Sequence, residues 1–280
     1  MKSNKIALGT VQWGMNYGIS NKKGIPSNNE LDKIISLARI NGINLLDTAK
    51  GYGDAEERIG KFSNLDFRIV TKINSISVDC SVENQVEDSL QRLKNDILYG
   101  CLFHDVNELL KLPSLWEEIN FLKKKGKIEK IGVSLYNPYE LEQLLSLNII
   151  PDLIQIPFNI IDRRFEKYFK KLSNLKIEIH ARSIFLQGLL LNFEMMDEIK
   201  FSKWDYLWDE YKNWLKIDGL SPLEATINHV ASYEEISKIV VGVECELQLQ
   251  QIMFSLKKGI SKAPNSLISF DEKLINPSSW

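Results

Sequence analysis

Asp47, Tyr52, Lys72 and His104 are residues whose types, taken together, could move a proton. A tyrosine hydroxyl with a pKa of about 10 is a poor acid at neutral pH, but a nearby lysine ammonium favours the phenolate and lowers that value. An aspartate paired to the lysine keeps the lysine charged and fixed. Tyr52 then donates a proton to a developing alkoxide. His104 adds a hydrogen bond that orients a carbonyl and stabilises the negative charge growing on its oxygen. Singly, each residue has an ordinary explanation: a strand-end Asp is usually a cap or turn former, a Lys is usually solvated, and a lone His is more often a satisfied structural group. A lyase or isomerase using Lys72 as a Schiff base requires that lysine neutral, and Asp47 argues against it.

What would assemble these residues is an alternation of short apolar runs and amphipathic runs that continues along the chain without a linker. The expected strands are Lys5–Thr10, Ile43–Thr48, Phe67–Ile73, Ile97–His104, Ile131–Leu135, Leu153–Pro157, Ile177–Arg182 and Ile239–Val243. Each is rich in Ile, Leu or Val, as a strand buried on both faces of a parallel sheet should be. The expected helices are Asn28–Asn41, Ala55–Phe62, Val82–Leu93, Pro113–Lys125, Pro138–Leu147, Arg163–Leu172, Pro222–Ser232 and Glu246–Lys257. Ser27 with Glu30, and Ser221-Pro222 with Glu224, are helix starts; Gly42 and Gly126 stand where helices should stop. This pattern predicts an α/β fold, a (β/α)8 TIM barrel in a single domain over 1–280, with an aromatic insertion near 193–217 and a tail at 260–280. The alternative is a doubly wound open sheet, but the glycines from Gly9 to Gly14 lack the dinucleotide-fingerprint spacing. In a barrel, polar residues just past each strand become candidates for chemistry, and the four residues above fall there.

Lys+Arg at 35 against Asp+Glu at 37 gives a formal charge of −2, which excludes a polybasic nucleic-acid or membrane-surface protein on bulk charge. No apolar run reaches the ~18 residues of a membrane span, and the start MKSNKIALGT has no apolar signal segment, so a cytoplasmic protein is expected. Cys80, Cys101 and Cys245 are too scattered for a disulfide framework and are read as reduced thiols. With His104, His180 and His229 as the histidines, no metal site is expected, although a carboxylate-based one stays open. The stripe Trp204, Leu207, Trp208, Tyr211 and Leu215 has helical spacing. Its default meaning is packing, with a subunit contact or substrate-loop wall as the alternative.

With the motifs around them, the four residues resemble the aldo-keto reductase superfamily. The matching elements are Leu8-Gly9-Thr10, Asp47-Thr48-Ala49, Gly51-Tyr52-Gly53, Glu56-Glu57-Arg58-Ile59-Gly60, Thr71-Lys72 and Leu102-Phe103-His104-Asp105. Further on come Gly132-Val133-Ser134, Gln155, Phe158-Asn159, Ser183, Gln187-Gly188-Leu189, Val241-Gly242 and Gln248, so that nearly the whole chain is covered in order. The resemblance implies a cytosolic carbonyl reductase using NADP(H) or NAD(H), without metal, acting on a small-molecule carbonyl. Tyr52 would be the general acid, Lys72 and Asp47 would tune it, and His104 would orient the carbonyl. Ser134 and Gln155 match positions that hold the nicotinamide carboxamide. The stretch from Ser183 through Gln187 and Gly188 to Leu189 matches the pyrophosphate contact, and Gly242, Glu244, Gln248 and Gln251 fall in the adenosine-phosphate loop.

Two departures stand out. Leu135 replaces the Asn that many relatives place after the serine, and Arg182 stands where many place an aromatic ring under the nicotinamide. A guanidinium also stacks on a flat ring, but it adds positive charge. The loop after the eighth strand contains Glu244 and Glu246 and no basic residue, which predicts weak discrimination or a preference for NADH. Gln12, Trp13, Tyr17 and Tyr136 are the expected substrate wall, suited to a polar or sugar-like carbonyl; the plainer reading is that Trp13 and Tyr17 close the barrel rim. The competing function is a cofactor-binding sensor or accessory subunit on the same fold. Oligomeric state is left open.

Overall fold

The computed structural model describes residues 2–19, 21, 23–62, 67–74, 80–256 and 262–280. Its strands are β1 (Ile6–Gly9), β2 (Leu45–Asp47), β3 (Arg68–Ile73), β4 (Leu98–Phe103), β5 (Ile128–Ser134), β6 (Leu153–Pro157), β7 (Glu178–Arg182) and β8 (Ile236–Gly242). Each pairs in parallel with the next, and β8 pairs with β1, so the sheet closes into a barrel in chain order. The helices that follow the strands are α1 (Asn28–Ile40), α2 (Ala55–Gly60), α3 (Val82–Leu93), α4 (Leu115–Lys124), α5 (Pro138–Ser146), α6 (Phe169–Asn174), α7 (Pro222–Ala231) and α8 (Glu246–Ser255). This is the expected (β/α)8 barrel.

Local chemistry sets the helix starts. The Ser27 side chain accepts from Glu30 N at α1, and full capping boxes with Pro in the first turn open α5 (Asn137 with Glu140) and α7 (Ser221 with Glu224). Gly42 and Gly126 follow the ends of α1 and α4.

Several boundaries differ from the expected ones. The helix expected from Pro113 starts at Leu115, after a separate short helix Val106–Lys111 capped by the Asp105 side chain. The residue before a proline resists the helical region, so the chain breaks at Leu112-Pro113. α6 begins at Phe169 rather than Arg163, because the Arg163 guanidinium is committed to the carbonyls of Ile160, Ala263 and Pro264 and ties the tail to the barrel. β5 and β8 start earlier than expected, at Ile128 and Ile236, through polar residues of the barrel's amino end. α8 ends at Ser255; the expected end at Lys257 and the first residues of the 260–280 tail lie outside the described residues.

Inside the barrel, Ala7, Leu45, Val70, Tyr99, Leu102 and Leu153 form a compact apolar cluster, while a larger core fills the space between sheet and helices. The amino end is plugged by Glu178, which accepts from Tyr99 Oη (2.8 Å), pairs with His180 Nε2 (2.7 Å) and meets Lys130. Burial opposes the Glu178 charge, but the hydrogen bonds from His180, Lys130 and Tyr99 outweigh it and hold its pKa at about 2. The carboxyl rim is left for chemistry.

Between β7 and α7 the chain makes the aromatic excursion. Its helix Asp205–Asp218 buries Leu207, Trp208, Tyr211, Trp214 and Leu215 against Leu189, Leu190, Ala263, Leu267, Leu274 and Ile275. The stripe is therefore core, joining the insertion to the tail. Among the described residues no helix is long and apolar enough to cross a membrane.

Candidate active site

The barrel register brings the strand ends to one rim: Gly9 lies beside Asp47, Lys72 beside Leu102, Ser134 beside Gln155 and Pro157 beside Arg182. At its centre Lys72 Nζ donates to Asp47 Oδ2 at 2.7 Å and to the Thr48 carbonyl at 2.9 Å, while Asp47 Oδ1 accepts from Gln155 Nε2 at 2.7 Å. Lys72 is 0% and Asp47 3% exposed, so each charge depends on the other and on these bonds to offset its desolvation. Burial disfavours the Lys72 ammonium, yet Asp47 outweighs it and the pKa is held above the usual lysine value.

Tyr52 follows β2 on a tight turn, with its N–H bonded to the Ala49 carbonyl at 3.0 Å. Gly14 makes room for that turn: a Cβ there would lie 1.9 Å from the Tyr52 carbonyl oxygen. The Tyr52 ring has Lys72 Nζ 5.3 Å from its centroid and meets the His104 ring edge-on, centroids 5.8 Å apart. The expected lowering of the phenol pKa is not the net result. Burial raises it above the ordinary value, and the Lys72 ammonium only partly opposes this because Asp47, which pairs with that ammonium, itself raises the phenol. Tyr52 is thus a neutral, proton-bearing group across the physiological range.

His104 is held neutral as well, since burial first and the Lys72 charge second lower its pKa to about 4. Its Nδ1 lies 3.1 Å from Asn74 Oδ1. Gln85, buried in α3, fixes Asn74 in turn by accepting from its backbone N (2.9 Å) and donating to its carbonyl (3.3 Å). Neither amide was singled out from the sequence, because a search for titratable strand-end residues passes over neutral ones.

A cavity of about 670 Å3 opens above these groups. Asp47, Tyr52 and His104 line it, and Lys72 lies beneath. Ser134, Gln155, Arg182, Ser183, Gln187, Gly188, Gly242, Glu244, Gln248 and Gln251 all contribute to its wall, as do Gln12, Tyr17 and Tyr136. Trp13 does not. It is 0% exposed and packs in the main core, so a substrate-wall role is corrected: its ring has no face left for a ligand.

The wall has features of a built binding groove. Ser183, Leu186, Gln187 and Gly188 all adopt positive φ (57°, 48°, 53° and 94°). For the non-glycine residues this costs ~1–3 kcal/mol each, a form of strain that clusters at ligand-binding segments. Asn159 braces the run by donating to the Ser183 carbonyl at 3.1 Å. Gln12 Oε1 is buried without a partner among the described residues, and Gly242 leaves room for it, since a Cβ there would lie 2.5 Å from that oxygen. At the far end, Glu246 N donates to Glu30 Oε1 of α1 at 2.8 Å, which holds the Glu30 carboxyl below its usual range. Lys23 Nζ lies 3.6 Å from Cys245 Sγ. Glu30 was read only as the helix-start partner of Ser27, and Lys23 was not singled out; both reach this loop from the β1–α1 side, a contact that no local pattern marks. Burial raises the Glu244 pKa. Among the described residues, no group of three or more His, Cys, Asp or Glu could hold a metal ion.

Fold and site together define a (β/α)8 barrel with a lysine–carboxylate pair, a tyrosine and a neutral histidine at the base of a long groove. The chain belongs to the aldo/keto reductase family, whose profile matches residues 5–269. It is similar to glyoxal reductase of Bacillus subtilis (strain 168), 30% identical over 187 residues that cover 62% of this chain and 65% of that protein. It is also similar to the aldo-keto reductase YhdN of the same organism, 29% identical over 190 residues covering 60% and 54%. These matches thus span between about half and two-thirds of the curated relatives' length. In fold it resembles the aldo-keto reductase AKR11C1 from Bacillus halodurans (holo form), with a TM-score of 0.72 at 19% identity over 94% of this chain and 89% of that one.

Proposed function

We propose that the protein reduces an aldehyde or ketone to the alcohol at the expense of NADH or NADPH, with Tyr52 as the proton donor. The observation that carries this reading is the buried Lys72–Asp47 pair beneath the Tyr52 ring at the base of the cavity. A buried ion pair of this kind has a clear use under a group that must lose a proton and regain it.

When bound, the nicotinamide cofactor supplies a hydride to the carbonyl carbon. The carbonyl oxygen then takes the Tyr52 proton, and the phenolate left behind is stabilised by the Lys72 ammonium until solvent returns a proton. Asp47 keeps that ammonium charged and in place. His104, neutral near pH 7, would offer the same oxygen a hydrogen bond from Nε2 when the Asn74 amide presents its N–H2 to Nδ1, without placing a second cation there. Ser134 and Gln155 suit the carboxamide. The strained run from Ser183 to Gly188 suits the pyrophosphate, and Gly242, Glu244, Gln248 and Gln251 suit the adenosine. The acidic character of the last segment favours NADH. The polar tips of Gln12, Tyr17 and Tyr136 favour a polar, sugar-like carbonyl.

The test is fluorescence titration with NADH and with NADPH, followed by a carbonyl panel read as the loss of reduced-cofactor absorbance. Tight binding with turnover of a polar carbonyl is expected; binding with no turnover across the panel would favour a sensor or accessory subunit.

A further inference from the structure

Arg182 is a charge at the carboxyl rim with no ion-pair partner among the described residues. Asp47 and Lys72 answer each other at 2.7 Å, His104 is neutral near pH 7, and Tyr52 keeps its proton. Among the described residues Arg182 makes no ion pair. Glu244, the other acidic side chain on the cavity wall besides Asp47, stands on the β8–α8 side and does not pair with it. The contacts of Arg182 are to neutral partners. It donates to the Leu135 carbonyl at 3.1 Å and to Ser183 Oγ at 3.3 Å, and its guanidinium carbon lies 4.4 Å from the centroid of the Tyr136 ring.

Each of these contacts positions the guanidinium without neutralising it. The Tyr136 ring and the Leu135 carbonyl fix the plane of the fork, and N–H donors beyond those two bonds remain for a ligand in the cavity that Arg182 lines. Its charge is felt at Tyr52, Lys72 and His104 alike, so whatever it binds sits in the same compartment as the proton donor. A half-buried, fixed guanidinium is matched in shape and charge by a carboxylate, which accepts two parallel hydrogen bonds from it.

We propose that Arg182 seats an acid group of the substrate, so that the carbonyl compound reduced is an oxo acid, an aldehyde or ketone bearing a carboxylate. This rests on the reductase reading above and narrows its substrate class. The reaction adds a hydride and a proton to the carbonyl and leaves the carboxylate unchanged, giving a hydroxy acid.

The experiment compares each of glyoxylate, succinate semialdehyde and 4-carboxybenzaldehyde with its methyl ester, in the wild type and in Arg182→Met and Arg182→Lys. For at least one pair the wild type is expected to show kcat/KM for the acid ~10- to 100-fold above the ester, the range of a charge-assisted bidentate bond. That ratio collapses toward unity in Arg182→Met and is partly kept in Arg182→Lys. No acid preference in any pair, or a preference that survives Arg182→Met, overturns the proposal. Calorimetric titration with the unreactive amides oxamate, succinamate and 4-carbamoylbenzoate, in the presence of oxidised cofactor, reads the same seat without turnover. Binding of one of them that Arg182→Met abolishes is expected, and binding of none overturns the proposal. If no acid or ester is reduced, the reductase reading fails, while the titration still decides the role of Arg182. Loss of NADH affinity in Arg182→Met with an unchanged acid-to-ester ratio would place the guanidinium on the cofactor and also overturn it.

Discussion

Asn74 Oδ1 lies 3.1 Å from His104 Nδ1, and this contact couples the orientation of the amide to the tautomer of the imidazole. With the amide oxygen toward the ring, Nδ1 carries the hydrogen and Nε2 is an acceptor. A half-turn of the Asn74 amide presents its N–H2 instead, which leaves the hydrogen on Nε2, where it can be donated to a substrate oxygen. An asparagine serves both states. We therefore expect Asn74→Asp, which can only accept from Nδ1, to lock the unproductive tautomer and to raise the imidazole pKa from about 4 toward neutrality. Reduction should slow by ~10-fold or more, with a new limb in the pH–rate profile, as a misdirected tautomer slows other histidine-dependent sites. Nitrogen chemical shifts of His104 would check the tautomer directly; an unaltered profile would show that Asn74 does not control it.

Tyr52→Phe removes the proton and leaves the ring. Binding of NADH should persist, while turnover falls by at least the ~10²-fold typical of general acid catalysis. Turnover that survived would move the acid elsewhere.

Lys72→Met tests the pair under the tyrosine in two ways. It leaves the Asp47 carboxylate buried with Gln155 as its remaining side-chain partner, so stability should fall by about 3–5 kcal/mol, which urea unfolding measures. The phenol of Tyr52 already lies above its ordinary pKa, and removing the ammonium that opposes burial pushes it further up. In the wild type the reduction rate should hold level through neutral pH and decline only above about 10. In the variant the rate should be lower and its alkaline limb shifted upward.

How much of this was legible in the sequence depended on whether a residue's role is local. Strands buried on both faces read as unbroken Ile, Leu and Val runs. The starts of β5 and β8 were hidden because Glu129, Lys130, Ser237 and Lys238 interrupt the run at the barrel's amino end. Asp47, Lys72 and His104 stood out as titratable groups closing apolar strands. Asn74, Gln85 and Glu30 did not, because each acts through a contact between elements that sequence distance does not reveal. The sign of the Tyr52 shift and the burial of Trp13 are three-dimensional quantities: one depends on the competition of burial with a nearby charge, the other on which side of the rim the ring falls.

His229 makes acid stability a test of the core. It is fully buried, its Nδ1 accepts from Ala263 N at 3.1 Å, and its ring stacks on Phe158 with centroids 5.8 Å apart. Burial lowers its pKa to about 3, against 6.5 for a free histidine. The unfolded chain therefore binds a proton that the native state refuses. The stability is complete above pH 6.5 and is lost as pH falls from there toward 3, by up to about 1.4 kcal/mol per unit for this residue. His104 adds a contribution of the same sign down to about 4. Urea midpoints between pH 6.5 and 5 should decline on acidification, and His229→Gln should flatten that slope even if its stability is lower throughout.

If the groove holds NADH or NADPH as proposed, the choice between them falls where α1 meets α8. Glu30 Oε1 accepts from Glu246 N at 2.8 Å, so a carboxylate of the protein already occupies part of the helix start at which a 2′-phosphate would seek N–H groups and the positive end of the dipole. Glu244, on the cavity wall, adds a second carboxylate, while Lys33, paired with Glu30 at 3.3 Å, and Lys23, beside Cys245, are cations that oppose them. A phosphate arriving here finds the helix start already taken by a carboxylate, while free ribose hydroxyls can donate to a carboxylate. NADH should bind at least as tightly as NADPH. Glu30→Gln keeps an acceptor for Glu246 N but removes the charge, and should tighten NADPH relative to NADH by roughly 2- to 5-fold, the scale of a partly solvated charge at a helix end. Lys23→Ala should act in the opposite sense. Dissociation constants for both cofactors at one ionic strength measure all three effects, because exposed charges are screened by salt. NADPH bound more than ~tenfold tighter than NADH by the wild type would mean that the phosphate is held by another part of the groove.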